Sequence, residues 1–579
     1  MPQETIQVDS LAEAYLALLK DRGVDYLFGN AGTDFASVIE ALSKSVTEGT
    51  EAPTPMTVPH ENLAVAMAHG YFLATGKPQA VMVHVNVGTA NAICGITNAA
   101  RENVPIIFTS GRTPLTETGA PGARSIYIHW GQEMFDQAGM VREMVKWDYE
   151  LRNARQLETI VDRAVNVAMN EPRGPVYLTL PREVLAEKPD GFAFESPSRR
   201  LAATSPAPDP NAIDRAADWI AAAKTPLVIT ASAGQNPASA RALTDLAERF
   251  ALPVVTYRPR YVPLPTDHEM HMGFEPGGLL GEADLVLVID CDVPWIPSLH
   301  SPNPDAKVIH MGVDPLFSTY PVRGYPCDLA ITAESSLGLA ALSEALGDGA
   351  DGRIDERRAR AARRKAAAAE ARAARIEAAR TRGATDAAWI AHCIDEIKDD
   401  GDVMVSESQL ALGNIDFREP GTFFATSPAG GLGWGMGASL GVKLGYGDRR
   451  VFCVVGDGSY MFGNPTPAHF VSAANDLPVL TVILNNRMWG SVRKATLGLH
   501  PDGAASRANR APLTYLEPAP AYHKVVEASG GYGEEVETPD ALPGALERGL
   551  KAVEVEKRQA VLNVLTAYDD SAALADAKR

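Results

Sequence analysis

Gly456-Asp457-Gly458-Ser459 closes one apolar run, and 26 residues beyond the Gly-Asp-Gly triplet a second apolar run closes on Asn485-Asn486. Each run reads as a buried strand. Asp457 therefore stands where a strand ends and a helix begins, a place where backbone N–H groups converge on an anion and a carboxylate can hold a hard cation. Asn486 ends the following strand, so a helix-length crossover returns the chain beside Asp457. One carboxylate, one amide oxygen and a nearby main-chain carbonyl suit Mg²⁺ and leave it open positions for diphosphate oxygens and water.

Two further stretches have chemical potential. Ala429-Gly430-Gly431-Leu432-Gly433-Trp434-Gly435-Met436-Gly437 lies upstream of the metal strand, and its glycines let a main chain approach a flat ring closely, with Leu432 as a wedge among them. A tight helix–strand packing turn is the plainer reading. Pro59-His60-Glu61-Asn62 precedes the helical Ala64–Gly76 stretch. By position alone Glu61 is a helix N-terminal charge; in a buried setting it is also a carboxyl whose proton affinity the surroundings can tune.

The elements that must hold these groups follow an α/β pattern. Helical stretches alternate with short apolar runs at 80–85, 104–111 and 174–181, then at 226–230, 252–257, 284–290 and 307–314, then at 450–458, 479–486 and 560–566, which predicts parallel sheets flanked by helices. A Pro-, Ser- and Ala-rich stretch at 195–212 marks a linker. The expected organisation is α/β with three domains: 1–190, a central Rossmann-like 205–350, a linker helix 351–383, and 384–579. The linker run is rich in Ala, Arg and Glu with almost no large apolar side chains, the composition of a solvated helix. The first and third domains are candidate structural cousins. A length of 579 residues fits several cores. Net charge of -19 disfavours nucleic acid and anionic membranes as partners. Five scattered cysteines suggest neither disulfides nor zinc. The opening MPQETIQVDS lacks the features of a leader and no run is long enough to span a membrane, so a cytoplasmic protein is expected.

Over essentially its whole length the chain resembles the thiamine-diphosphate-dependent enzymes, and within them the benzoylformate decarboxylase branch most. The resemblance implies that the first domain binds the pyrimidine of thiamine diphosphate and the third its diphosphate. Asp457, Asn486 and the main-chain oxygen of Met488 would then ligate Mg²⁺, while Gly458, Ser459, Trp489 and Gly490 contact phosphate. The Gly430 carbonyl would accept from the 4′-amino group, Leu432 would prop the bent cofactor, and Glu61 would hydrogen-bond the pyrimidine N1′ and promote loss of the thiazolium C2 proton. Gly29-Asn30-Ala31-Gly32-Thr33 resembles a turn whose hydroxyl binds the substrate carboxylate, which gives Thr33 that role. His84, in Val83–Asn91, and His268, in Pro265–His268, match histidines that move protons at the reacting carbon.

There are also departures. Val492 stands where the pyruvate decarboxylase branch has a glutamate, and a single His129 replaces that branch's adjacent histidine pair. Ser408-Gln409-Leu410 replaces expected phosphate contacts, and Ala495 replaces a substrate-contacting phenylalanine. The reaction implied is non-oxidative decarboxylation of a 2-oxo acid to an aldehyde. The alternatives are acetolactate-synthase-like carboligation or 2-hydroxyacyl-CoA lysis, with FAD or an ADP/CoA moiety in the central domain. A homodimer or homotetramer with active sites between subunits is expected.

Overall fold

The computed structural model describes residues 3–347 and 352–567; the expected domain boundary at 350/351 and the chain's last residues lie outside this set. Three parallel sheets form. The first contains β1 (Tyr26–Asn30), β2 (Thr54–Thr57), β3 (Gln79–Val83), β4 (Ile106–Arg112), β5 (Asp148–Glu150) and β6 (Val176–Pro181), in the order β2-β1-β3-β4-β6-β5. The central sheet contains β7 (Pro226–Thr230), β8 (Val254–Thr256), β9 (Leu285–Ile289), β10 (Lys307–Gly312) and β11 (Leu329–Thr332), ordered β8-β7-β9-β10-β11. The third has β12 (Val403–Glu407), β13 (Phe423–Ala425), β14 (Val451–Gly456), β15 (Leu480–Asn485), β16 (Tyr532–Val536) and β17 (Ala560–Leu565), ordered β13-β12-β14-β15-β17-β16.

The first and third sheets thus repeat one strand order, as expected of structural cousins, and all three share the reversal between the first and third strands. Inner strands such as β3, β9 and β15 are buried along their whole length, which explains why they read as continuous apolar runs rather than alternating ones. The reversal matters for function, because it leaves a crevice at the carboxyl ends of two neighbouring strands in each sheet.

By backbone packing the chain divides into two compact units. One comprises residues 1–204, 426–448 and 459–479, the other 205–425, 449–458 and 480–579. The first domain runs past residue 190, because Phe192–Glu195 pairs antiparallel with Gln3–Ile6 and Phe192 and Phe194 enter the core under the Leu11–Asp21 helix. Residues 434–446, expected to belong with the third sheet, pack instead on the first domain's Glu61–Thr75 helix, in the most intimate helix pairing of the unit. Glycines make this possible: a Cβ at Gly441 would lie 2.0 Å from the Met67 carbonyl oxygen, and one at Gly70 2.1 Å from that of Ala438.

The predicted linker helix exists as Gly352–Thr381. It is not solvated along its full length. Arg357 is 3% exposed and donates to the carbonyls of Ile220, Ala223 and Phe250, so a cation closes the C-terminal ends of the Pro210–Ala222 and Pro237–Phe250 helices. Among the described residues no helix is long and apolar enough to cross a membrane.

Candidate active site

In the first unit the crevice lies where β1 and β3 end side by side, with Asn30 opposite Val83. Past β1 the chain turns through Gly32 into a single 3-10 turn, Thr33–Phe35, and Thr33 is exposed at its start. Past β3, His84 caps the Val85–Arg101 helix. The two turns interlock: a Cβ at Gly32 would sit 2.0 Å from the His84 Nδ1, so only glycine admits the imidazole there. His84 Nδ1 lies 2.5 Å from Asp34 Oδ1, the Val85 N–H donates to Asp34 Oδ2 at 3.3 Å, and Gln132 Nε2 is 3.2 Å from His84 Nε2. The hydrogen bond to Asp34 raises the proton affinity of His84 against the opposing effect of burial, and the charges of Asp34 and Glu61 add to it. Val85 has φ of 33°, a left-handed backbone at a β-branched residue and hence a strained one.

Glu61 opens the Glu61–Thr75 helix, half-buried, and its Oε2 accepts from Asn91 Nδ2 at 2.5 Å. His60 Nε2 lies 3.1 Å from Asn464 Nδ2 and 3.4 Å from Asn91 Nδ2. Both amides donate, so the ring is neutral, and burial lowers its proton affinity. Gly431 is held at both backbone ends by Asn98, with N to Oδ1 at 3.1 Å and O from Nδ2 at 2.8 Å. Gly430, one residue earlier, is exposed with φ of 67° and open space around it, and Leu432 is half-buried. The glycine run therefore divides: Gly430 faces open space, whereas Gly437 and Gly441 are spent on helix packing. Ser459 is buried in this unit and its carbonyl accepts from Gly463 N.

In the second unit Asp457 and Asn486 follow the adjacent strands β14 and β15, with Gly456 opposite Leu484. Asp457 is 3% exposed; its Oδ1 accepts from Gly458 N at 2.9 Å, while Oδ2 is buried with no partner among the described residues. Burial pushes this carboxyl up to about 6, against the pull of the N–H groups of Gly458, Arg487 and Met488. Asn486 Oδ1 accepts from Met488 N at 3.0 Å and the Met488 carbonyl from Gly490 N at 3.0 Å. The Trp489 ring lies over Gly458, where a Cβ would be 2.0 Å from it. The set is all oxygen, one member is an orphaned carboxylate oxygen, and the carbonyls keep a second lone pair. A hard divalent cation fits it. Asn485, the other half of the pair, is 1% exposed and bonded to Asn563.

His268 is not tied to these groups by any hydrogen bond among the described residues. Its Nδ1 accepts from Met270 N at 3.1 Å, and Glu248, Glu269, Lys365 and Asp267 surround it. At the central crevice, between β7 and β9, the chain's own groups bridge the strand ends. Arg260 Nη1 is 3.2 Å from Asp292 Oδ1 and its Nε donates to Ser232 at 2.8 Å, Tyr320 donates to Asp292 at 2.8 Å, and a Cβ at Gly234 would meet the Val262 carbonyl carbon at 2.6 Å.

Sequence reasoning passed over Asp34, Gln132, Asn91, Asn464 and His60. Asp34 directly follows Thr33 and Asn91 ends the stretch that contains His84, so their positions were in view but their pairing depends on the fold.

Residues 9–140 match the N-terminal TPP binding domain of thiamine pyrophosphate enzymes, 213–342 their central domain and 405–564 their C-terminal TPP binding domain. The chain is 26% identical to the acetolactate synthase large subunit of Haemophilus influenzae, over 93% of this chain and 91% of that one. It is 25% identical to benzoylformate decarboxylase of Pseudomonas aeruginosa, over 82% and 86% respectively. The crystal structure of benzoylformate decarboxylase from Polynucleobacter necessarius superposes with a TM-score of 0.77 at 21% identity, covering 97% of this chain and 99% of that one, which shows the shared fold. With all three domains present in order, the chain belongs to the thiamine pyrophosphate enzyme family, on the side of it that holds acetolactate synthases and 2-oxo acid decarboxylases.

Proposed function

We propose that this enzyme uses thiamine diphosphate and Mg²⁺ to decarboxylate a 2-oxo acid to an aldehyde. The observation that carries the reading is His84, paired with Asp34 beside Thr33 at the end of β3. Converting a 2-oxo carboxylate to an aldehyde and CO₂ consumes one proton at the former 2-oxo carbon, so a site for it needs a proton carrier at the substrate end. Transfer to a second carbonyl ends on a different electrophile and places no such demand there.

Bound thiamine diphosphate supplies the electron sink that makes loss of CO₂ possible. The remaining work falls to the chain. Asp457, Asn486 and the Met488 carbonyl would hold the metal, and Gly458, Ser459, Trp489 and Gly490 would border the diphosphate. The Gly430 carbonyl and Leu432 would orient the pyrimidine. Glu61, steadied by Asn91, would be the carboxyl that holds a proton at its N1′. Thr33 donates to the substrate carboxylate, and His84 delivers the proton to the product carbon. His268, its Nδ1 held by the Met270 N–H, is the second histidine of the proton relay and contributes less than His84. Functional assembly as a homodimer or homotetramer, with sites completed between subunits, belongs to the same reading.

Acetolactate-synthase-like carboligation is the second reading, favoured by a relative of that name aligned over nearly the whole chain. The Arg260–Asp292 bridge and the close approach of Val262 to Gly234 at the central crevice weigh against a flavin or an ADP/CoA moiety there. The deciding experiment measures CO₂ and aldehyde from pyruvate, benzoylformate and branched 2-oxo acids, with and without acetaldehyde as acceptor. Aldehyde equal to CO₂ is expected without acceptor, with a loss of about 100-fold or more in Glu61→Gln and in His84→Ala and less than about tenfold in His268→Ala. CO₂ release only with the acceptor present, together with a 2-hydroxyketone product, would establish carboligation instead.

A further inference from the structure

We infer that Asp34 is the positioning residue for His84: its buried carboxylate holds the imidazole through Nδ1 and leaves Nε2 as the atom that carries the proton. The inference rests on the decarboxylase reading for its role in turnover, though the pairing itself does not.

Four observations support it. Asp34 is 3% exposed and wedged against β4, where a Cβ at Gly111 would lie 1.7 Å from its Oδ2. Its two oxygens are divided between His84 Nδ1 and the Val85 N–H. A carboxylate at Nδ1 selects the neutral tautomer protonated there, which leaves Nε2 a lone pair, and Gln132 Nε2 is placed to donate to it. Gln132 Oε1 is buried without a partner among the described residues, so turning the amide end for end would present an acceptor to a protonated Nε2; one side chain serves both states of the ring. The strained Val85 backbone shows that the chain pays conformational energy to keep His84 in this position.

The charged and titratable groups facing His84 are Asp34 from the turn after β1, Glu61 from the start of its helix, and His129 from the Ile128–Gly131 turn. Glu61 and Asp34 favour the protonated ring, and His84 lowers the proton affinity of His129, so removing Asp34 alone leaves Glu61 as the one carboxylate among these groups that favours the charge. A purely structural Asp34, acting as an N-terminal charge on the Val85–Arg101 helix, would change stability without moving the titration of His84.

The test is pH-dependent hydrogen exchange at the imidazole C2 of His84, read by mass spectrometry on the full-length protein with Mg²⁺ and thiamine diphosphate, beside the pH profile of aldehyde release from benzoylformate. In the wild type the His84 midpoint should lie above the ordinary value of about 6.5. In Asp34→Asn it should fall by about one pH unit or more, and the alkaline limb of the rate profile should move down by the same amount. In Gln132→Leu the midpoint should stay raised. An Asp34→Asn midpoint equal to wild type overturns the inference, as does a wild-type midpoint at or below the ordinary value, which decides the matter even where Asp34→Asn does not fold. A shifted midpoint in a protein that decarboxylates no 2-oxo acid supports the pairing and defeats the functional reading. Turnover with an unshifted midpoint does the reverse.

Discussion

His69 makes the helix crossing that carries Glu61 sensitive to acid. It is 1% exposed, both ring nitrogens lack partners among the described residues, and it packs edge-on against Trp434 at 5.4 Å. Burial pushes its proton affinity from the ordinary 6.5 down to about 3. The unfolded chain therefore binds a proton between those values that the folded chain refuses. Stability from this residue is whole above pH 6.5 and drains away as the pH falls toward 3. At 1.36 kcal/mol per unit the full loss is about 5 kcal/mol, of which about 2 kcal/mol is gone by about pH 5. Urea unfolding of wild type and His69→Leu at about pH 7.5 and about pH 5 isolates the effect, because other histidines cancel in the difference. The wild type should lose about 2 kcal/mol more than the variant on acidification. His271, also held down to about 3, lies in the second unit and should leave its own loss unchanged in both proteins. Identical pH dependence in the two proteins would show that His69 finds a partner, and the argument from burial would fail.

Gly441→Val places a side chain where the Met67 carbonyl already stands, and should destabilise the first unit by about 3 kcal/mol in thermal unfolding, since backbone meets backbone and neither yields cheaply; an unchanged melting temperature would contradict the packing described. The purified protein should be colourless and should retain no flavin after incubation with FAD and desalting, because Arg260, Asp292 and residues 262–263 occupy the central crevice. Bound flavin would mean that this segment moves aside.

What could be read from the sequence is what chemistry constrains locally. The placement of Asp457 and Asn486 at neighbouring strand ends was legible because an apolar run closes on each and a helix-length crossover separates them. Three domains were legible because inner strands such as β9 and β15 are buried on both faces and read as apolar runs. The short edge strands β2, β5 and β13 escaped, since partly exposed segments of three or four residues carry no periodic signal. The pairing of Asp34 with His84 joins two turns far apart in sequence, and no local pattern encodes it. The glycines of Gly430–Gly441 pointed to close approach, but not to what approaches: open space at Gly430 and a packed helix at Gly437 and Gly441 are equally served by a missing side chain. Arg357 misled by composition, one buried guanidinium in a run of solvated ones.

Asp457, Asn486 and the Met488 carbonyl are proposed together to hold the metal that tethers thiamine diphosphate. A crystal structure of the protein grown with Mg²⁺ and thiamine diphosphate is the decisive test. A metal is expected on Asp457 Oδ2, the Asn486 amide oxygen and the Met488 carbonyl, with diphosphate oxygens completing its shell. Cofactor bound elsewhere, or a metal that leaves Asp457 unligated, would contradict it.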